Sequence, residues 1–181
     1  TPGGKMETVI DDPGESRRGL LLIAHPHPLQ GGSMDNNVVM AAWNAVLERG
    51  YSALRFNFRG VGRSSGTFDN GIGEVADLAN VVNWVDYPVI VVGYSFGSWV
   101  AANFLKEVDV PCIFISPPTA MFPFPSLKGL NVWAAVGDCD QFCDREGLYG
   151  VLDRERVTVM EETDHFWFGD EERLKRYITK K

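Results

Sequence analysis

The sequence predicts a three-layer α/β domain with a mostly parallel central sheet. Two observations carry that prediction. Short, continuously apolar runs recur along the chain, at 19–24, 53–58, 89–92, 112–115, 132–136 and 157–160. Between them lie segments whose apolar residues repeat at helical spacing. Strands that read as unbroken apolar runs, without alternation, are those buried on both faces. Strand and helix in alternation then imply right-handed crossovers, with helices covering both sides of the sheet.

Each element has its own signal. Lys5 to Ile10, then Asp11-Asp12-Pro13-Gly14, then the Leu20 run, predict an edge hairpin with a Pro-Gly turn. A helix is predicted from 36 to 49, where Val38, Val39, Ala42, Trp43, Val46 and Leu47 form one stripe and Gly50 supplies the stop. A second is predicted over 72–85, with Val75, Leu78, Ala79, Val82 and Val85 on one face. Residues 96–107, small and apolar, predict a third. Residues 141–152 and 170–179 predict two shorter ones. These stripes are read as core packing and are assigned no further role.

The chain has 181 residues and is 45% hydrophobic, enough for one domain over 1–181 with a real core. No linker-like tract or internal repeat divides it. A net charge of −7 argues against a general nucleic-acid binder, which needs a basic patch to displace counterions. The basic residues Lys175, Arg176, Lys180 and Lys181 are placed to complement the dipole of a last helix. No apolar run approaches the roughly 20 residues that span a bilayer, and the first residues lack the apolar core of a signal peptide. The expectation is a cytoplasmic protein without a membrane span, a monomer or a homodimer. Cys112, Cys139 and Cys143 are too few and too irregular for a disulfide framework or a zinc site, and are read as reduced thiols.

One stretch carries chemistry. Val89-Ile90-Val91-Val92 runs into Gly93-Tyr94-Ser95-Phe96-Gly97 and then into a predicted helix. A serine between glycines on a strand-to-helix turn is the setting of a nucleophile elbow. The flanking glycines allow so tight a turn, and the geometry aims the Phe96 N–H at the space in front of the serine. A Gly-rich turn needed only for close packing is the competing explanation.

A serine hydroxyl is a poor nucleophile unless a base takes its proton and an acid orients that base. On an elbow of this kind the chain order is Ser, then Asp or Glu, then His. Of the three histidines only His165 follows Ser95, in a loop just past the last predicted strand. The acid is expected after the strand 132–136, where Asp138 and Asp140 compete and Asp144 is a third candidate; the loop geometry expected of this motif favours Asp140. Asp138 would then be a turn-former or a helix N-cap. Asp164 is too close to His165 to orient its ring.

With these residues placed, the chain resembles the α/β-hydrolase superfamily, in its small lidless branch of predicted serine hydrolases that carry an His-Pro-His-Pro loop. Leu20 to Asn37, containing His25-Pro26-His27-Pro28, resembles the oxyanion loop. Asn57 to Gly66 resembles the R-G-x-G-x-S turn, and Gly137-Asp138-Cys139-Asp140 resembles the G-x-x-D acid loop, which supports Asp140. The resemblance covers roughly residues 18–180. It implies an α/β-hydrolase fold with a mostly parallel sheet of about seven or eight strands and no lid domain. Ser95 would be the nucleophile, His165 the base and then acid, and Asp140 the orienting acid. The oxyanion hole would use the backbone N–H of Phe96 and a second from the His25–Leu29 loop. Pro26 and Pro28 have none, so His27 or Leu29 must donate, and His27 is chosen. Arg59 and Arg63 are expected in structural ion pairs, and Ser64 is not assigned to catalysis. Residues 116–129, rich in Pro and Phe, are either the wall of an acyl pocket or a stiff packing loop.

The expected activity is hydrolysis of small-molecule carboxylic esters through an acyl-enzyme on Ser95, with no cofactor and no metal. Thioester, amide or peptide hydrolysis and acyl transfer would use the same residues. A silent domain that binds a ligand or a protein is the alternative of another kind.

Overall fold

The computed structural model describes residues 4–12, 19–86 and 88–181. Seven strands form one sheet: β1 (Thr8–Asp11), β2 (Leu20–Ala24), β3 (Ser52–Phe56), β4 (Val89–Tyr94), β5 (Cys112–Ile115), β6 (Val132–Gly137) and β7 (Val157–Met160). Their spatial order is β1-β3-β2-β4-β5-β6-β7. All neighbours are parallel except β1 and β3. Among the described residues five α-helices accompany the sheet: α1 (Asn37–Leu47), α2 (Ile72–Trp84), α3 (Phe96–Phe104), α4 (Arg145–Val151) and α5 (Glu171–Ile178).

The continuous apolar runs have the expected cause. In β2, Leu20, Leu22 and Ala24 belong to the core on one face, with Leu78 of α2, Val100 of α3 and Leu148 of α4. Leu21 and Ile23 belong to the core on the other face, with α1 and with Leu174 and Ile178 of α5. Successive strand residues point to opposite faces, so a strand covered on both sides must be apolar throughout.

The N-terminal hairpin is a correction. β1 is an edge strand, but it pairs antiparallel with β3, not with β2. β2 already has a parallel neighbour on each side, β3 and β4, so no free edge is left for β1. The Pro13-Gly14 turn lies outside the described residues. A second difference lies in α2. Its buried set includes Glu74 and Asp77, which the apolar stripe does not contain. Glu74 accepts the backbone N–H groups of Asp69 and Gly71 at 2.9 and 2.7 Å and so closes the helix start. Asp77 accepts the Arg59 backbone N–H and two of its guanidinium N–H groups. Each charge is buried because it has partners.

The connection between β5 and β6, residues 116–131, contains no helix and is no lid domain. The sheet reverses direction of growth between β2 and β4. β2 leads to α1 on one face, and β4 leads to α3 on the other. Loops leaving opposite ways from adjacent strand ends open a crevice there, where open α/β sheets bind ligands. The β2 and β4 ends are in register, with Ala24 opposite Gly93. The α3 start crosses them so closely that a Cβ on Gly97 would stand 2.8 Å from the His25 carbonyl oxygen and inside contact of that of Ala24. A Cβ on Gly93 would stand 2.6 Å from Ser98 Cα. Gly97→Ala is expected to cost more than about 2 kcal/mol, because backbone rather than a mobile side chain must yield. Urea unfolding of the variant against wild type measures it.

Candidate active site

Ser95 stands at the end of β4 with φ 52° and ψ −119°. A non-glycine residue in that region is strained by about 1–3 kcal/mol and persists only where its surroundings fix it. Here the Ser95 N–H donates to the Ile115 carbonyl at 2.9 Å. Its own carbonyl accepts the Ser98 hydroxyl at 2.6 Å and the Ser98 N–H at 2.9 Å. The sharp turn holds Oγ in front of the strand ends.

His165 lies in the loop after β7, and Asp140 in the loop after β6. The Ser95 hydroxyl is 2.9 Å from His165 Nε2, and His165 Nδ1 is 2.9 Å from both Asp140 oxygens. A carboxylate only accepts, so Nδ1 carries the imidazole proton and leaves Nε2 free to accept from the hydroxyl. Ser95, His165 and Asp140 are 9%, 5% and 7% exposed, so water competes little for these bonds. Asp140 is held by the Phe142 N–H at 2.9 Å.

The competing carboxylates are elsewhere. Asp138 is exposed and accepts from the Cys139 thiol. That bond, with the nearby backbone N–H groups of Thr163 and Glu162, holds its carboxyl below the usual range. The Cys139 N–H donates to the Thr163 carbonyl at 3.1 Å, tying the acid loop to the histidine loop. Asp138 does not cap α4, whose N-cap position is Asp144. Asp164 accepts the N–H groups of Phe166 and Trp167, a local turn.

The Phe96 N–H and the His27 N–H each donate to no acceptor among the described residues. The Leu29 N–H is taken by His27 Nδ1 at 3.2 Å. The His27 ring lies 4.9 Å from that of Phe96, so the two loops adjoin. The first histidine of the pair has a different place. His25 is fully buried; its Nδ1–H donates to the Pro26 carbonyl at 2.7 Å and its Nε2 accepts the Phe58 N–H at 3.0 Å. Both nitrogens are used by backbone groups that admit only the neutral ring. Burial pushes its pKa down to about 4. Burial also lowers that of His27.

Several residues at the site were not singled out from sequence. Tyr94, one position before the serine, donates its hydroxyl to the His165 carbonyl at 3.0 Å, and burial raises its pKa. It ties β4 to the histidine loop. Trp167, fully buried, donates its indole N–H to Ser116 Oγ at 2.9 Å and anchors the same loop to the end of β5. Phe68, Phe96, Trp99 and Phe122 join the His27 ring in an aromatic wall, with centroid separations of 4.9 to 6.4 Å. Phe122 comes from the 116–129 segment, which packs its ring against those of His27, Phe96 and Trp99. A tyrosine ending an apolar strand was the signal for the first of these; the wall has no local one.

Arg59 is engaged by Asp77 at 2.8 Å and by Asp69 at 3.7 Å, which raises its pKa. Arg63 is almost fully exposed and only 4.0 Å from Glu7. Ser64 donates to the Asn57 carbonyl and accepts the Glu7 N–H, a structural role. Among the described residues no three His, Cys, Asp or Glu side chains converge as metal ligands would. Among them also, no helix is long and apolar enough to cross a membrane.

Tyr94→Phe is expected to cost about 1–2 kcal/mol, since it leaves the buried His165 carbonyl without its donor; urea unfolding checks this. For His25 the folded pKa lies below the unfolded value near 6.5. Its contribution is therefore complete above pH 6.5 and is lost as pH falls toward 4, by about 3 kcal/mol in all. His25→Gln is expected to be less stable at pH 7 and to lose less between pH 7 and pH 4.5 than wild type. Equal acid slopes for the two proteins would contradict the assignment.

Comparison with known proteins agrees with this architecture. A model of the alpha/beta hydrolase family matches residues 21–177. An alpha-beta serine hydrolase homologue from Coxiella burnetii superposes with a TM-score of 0.85 at 30% identity, covering 99% of this chain and 92% of that one. An uncharacterized protein of Rickettsia prowazekii is 40% identical over 125 residues, 65% of this chain and 52% of its own length. The lysophosphatidylserine lipase of mouse is 26% identical over 133 residues, 69% of this chain and 32% of the lipase. The chain thus spans about half the length of the Rickettsia prowazekii protein and about a third of the mouse lipase. A family match over most of the sheet, with a solved homologue of the same extent, settles the class: the chain belongs to the alpha/beta hydrolase family.

Proposed function

We propose that the protein is a serine hydrolase acting on carboxylic esters, with Ser95 as nucleophile, His165 as general base and acid, and Asp140 as the group that orients the imidazole. The hydrogen-bonded line from Asp140 through His165 to Ser95, nearly closed to solvent, supports this reading most directly. An oriented base beside a hydroxyl on a strained turn has no need of those bonds for packing alone.

The steps follow from the geometry. Ser95 Oγ attacks the ester carbonyl as its proton passes to His165 Nε2. The imidazolium that forms is stabilised by the Asp140 carboxylate at Nδ1. The carbonyl oxygen becomes an oxyanion, and the Phe96 and His27 N–H groups, both without acceptors among the described residues, donate to it. Each such donor commonly contributes about 10²–10³ in rate. The C–O bond to the alcohol breaks, and the leaving oxygen takes the proton from Nε2. Water then gives a proton to the same nitrogen, adds to the acyl group and frees the carboxylic acid as Ser95 is reprotonated. The engagement of the Leu29 N–H by His27 favours His27 as the second donor.

A fluorophosphonate probe, which phosphonylates an activated serine with loss of fluoride, tests the proposal. Wild type is expected to label, Ser95→Ala not at all, and His165→Ala and Asp140→Asn at least about 10²-fold more slowly. Asp138→Asn is expected to label within a few-fold of wild type. Well-folded wild type that does not label, or an Asp138→Asn as impaired as Asp140→Asn, would count against the assignments.

A further inference from the structure

We propose that an aromatic row beside His165, formed by Phe142, Phe166 and Phe168, receives the alcohol part of the ester, and that the preferred substrates are esters of apolar, uncharged alcohols. This rests on the ester-hydrolase reading above and names its leaving group.

The proton on His165 Nε2 must reach the leaving oxygen, so that oxygen approaches the imidazole edge. The carbons attached to it then lie against whatever borders the imidazole. Three rings do. Tyr94, at 5.7 Å, is buried. Phe142 meets the imidazole edge to face at 4.7 Å and is half-buried. Phe166 meets it at 5.6 Å and 86°, and is 43% exposed. Phe168 stacks on Phe166 at 6.3 Å and is 74% exposed. The row therefore runs from the base outward to solvent.

The row is built before any ligand arrives. The Phe166 N–H donates to Asp164 at 2.8 Å and its carbonyl accepts Asn37 Nδ2 at 2.9 Å. The Phe142 N–H donates to Asp140, and its carbonyl accepts the Ala120 N–H at 3.1 Å. The main chain beneath Phe142 and Phe166 is thus held in place, so ligand binding has only the ring torsions left to order there.

Charge narrows the class further. Residues 137–144 and 161–170 flank His165 and hold seven carboxylates with no lysine and no arginine. Asp138, Asp144, Glu161, Glu162 and Asp164 are exposed. Arg145, the next residue along, lies in the field of Asp138. Arg173 is bonded to Asp170, Thr163 and the Glu161 carbonyl. Arg55, toward α1, is paired with Asp35. A phosphate on the leaving alcohol would find carboxylates and no unengaged guanidinium on these two loops. The anionic headgroup named for the mouse lipase is therefore a poor fit here.

The test is a series of butyrate esters of ethanol, cyclohexylmethanol, benzyl alcohol and glycerol 3-phosphate, read as kcat/KM for acid release. The first three alcohols are similarly basic, so their differences report binding of the alcohol. Wild type is expected to favour benzyl and cyclohexylmethyl over ethyl by about tenfold, and the glycerophosphate ester least. Phe166→Ala is expected to lower the benzyl-to-ethyl ratio by about fivefold or more. A ratio does not depend on how much of the variant is folded. A ratio near one in wild type, a preference for the glycerophosphate ester, or a ratio unmoved in Phe166→Ala would overturn the proposal. Fluorophosphonate labelling with turnover of none of the esters would overturn it and leave the activated serine standing. Absence of labelling would overturn both.

Discussion

Gly97 lies against the carbonyl oxygens of Ala24 and His25, and this backbone approach is the constraint on which the site depends. It lets α3 start directly over the ends of β2 and β4. That start forces Ser95 into a strained conformation and presents the Phe96 N–H beside the loop that follows β2. A side chain at either flanking position would lift the helix, relax the turn and separate the serine from His27. The cost of the strain is met by hydrogen bonds to Ile115 and Ser98 and by a core closed on both faces of the sheet.

The two histidines of the His-Pro-His-Pro loop divide its work. His25 turns inward; one ring nitrogen bonds the Pro26 carbonyl within the loop and the other takes the Phe58 N–H just past β3, which joins the loop to β3's exit. His27 stays at the surface of the crevice with its ring in the aromatic wall. A charge on the first would break a bond to the Phe58 N–H, so the loop keeps its form only while that ring is neutral. His165 has the opposite surroundings: a carboxylate faces its proton and a hydroxyl faces its lone pair. One residue type thus serves as a rigid strut in one loop and as the proposed proton carrier in another, and the partners of each ring decide which.

Most of the sheet was legible because burial on both faces leaves an unbroken apolar run; five such runs became β2 to β6, and the sixth became the half-buried edge strand β7. The elbow and the single downstream histidine were legible for a similar reason: the turn admits few residue types, and the order of parts is fixed. What stayed hidden was pairing. Nothing local in Lys5 to Ile10 says that its partner is β3 and not β2. Glu74 and Asp77 lie off the apolar stripe of α2; the partner that allows Asp77 to be buried, Arg59, lies in another loop, while Glu74 is satisfied by N–H groups of the turn that opens its own helix. The Phe142–Phe166–Phe168 row and the Tyr94 bond to the histidine loop likewise join segments far apart in the chain. Single residues with strong local demands are written in the sequence; contacts between distant loops are not.

The short helix-free passage from β5 to β6 has a kinetic consequence. Enzymes that close a domain over their substrate often spend most of each cycle opening it again. Here the wall is a proline-stiffened segment tied down at Ala120 and Leu127 by backbone bonds to Phe142 and Val151. Entry and exit need no hinge. On the mechanism proposed above, the acyl group would leave Ser95 without waiting for a gate, and the turnover number would read the chemistry of the acyl-enzyme rather than the motion of a lid.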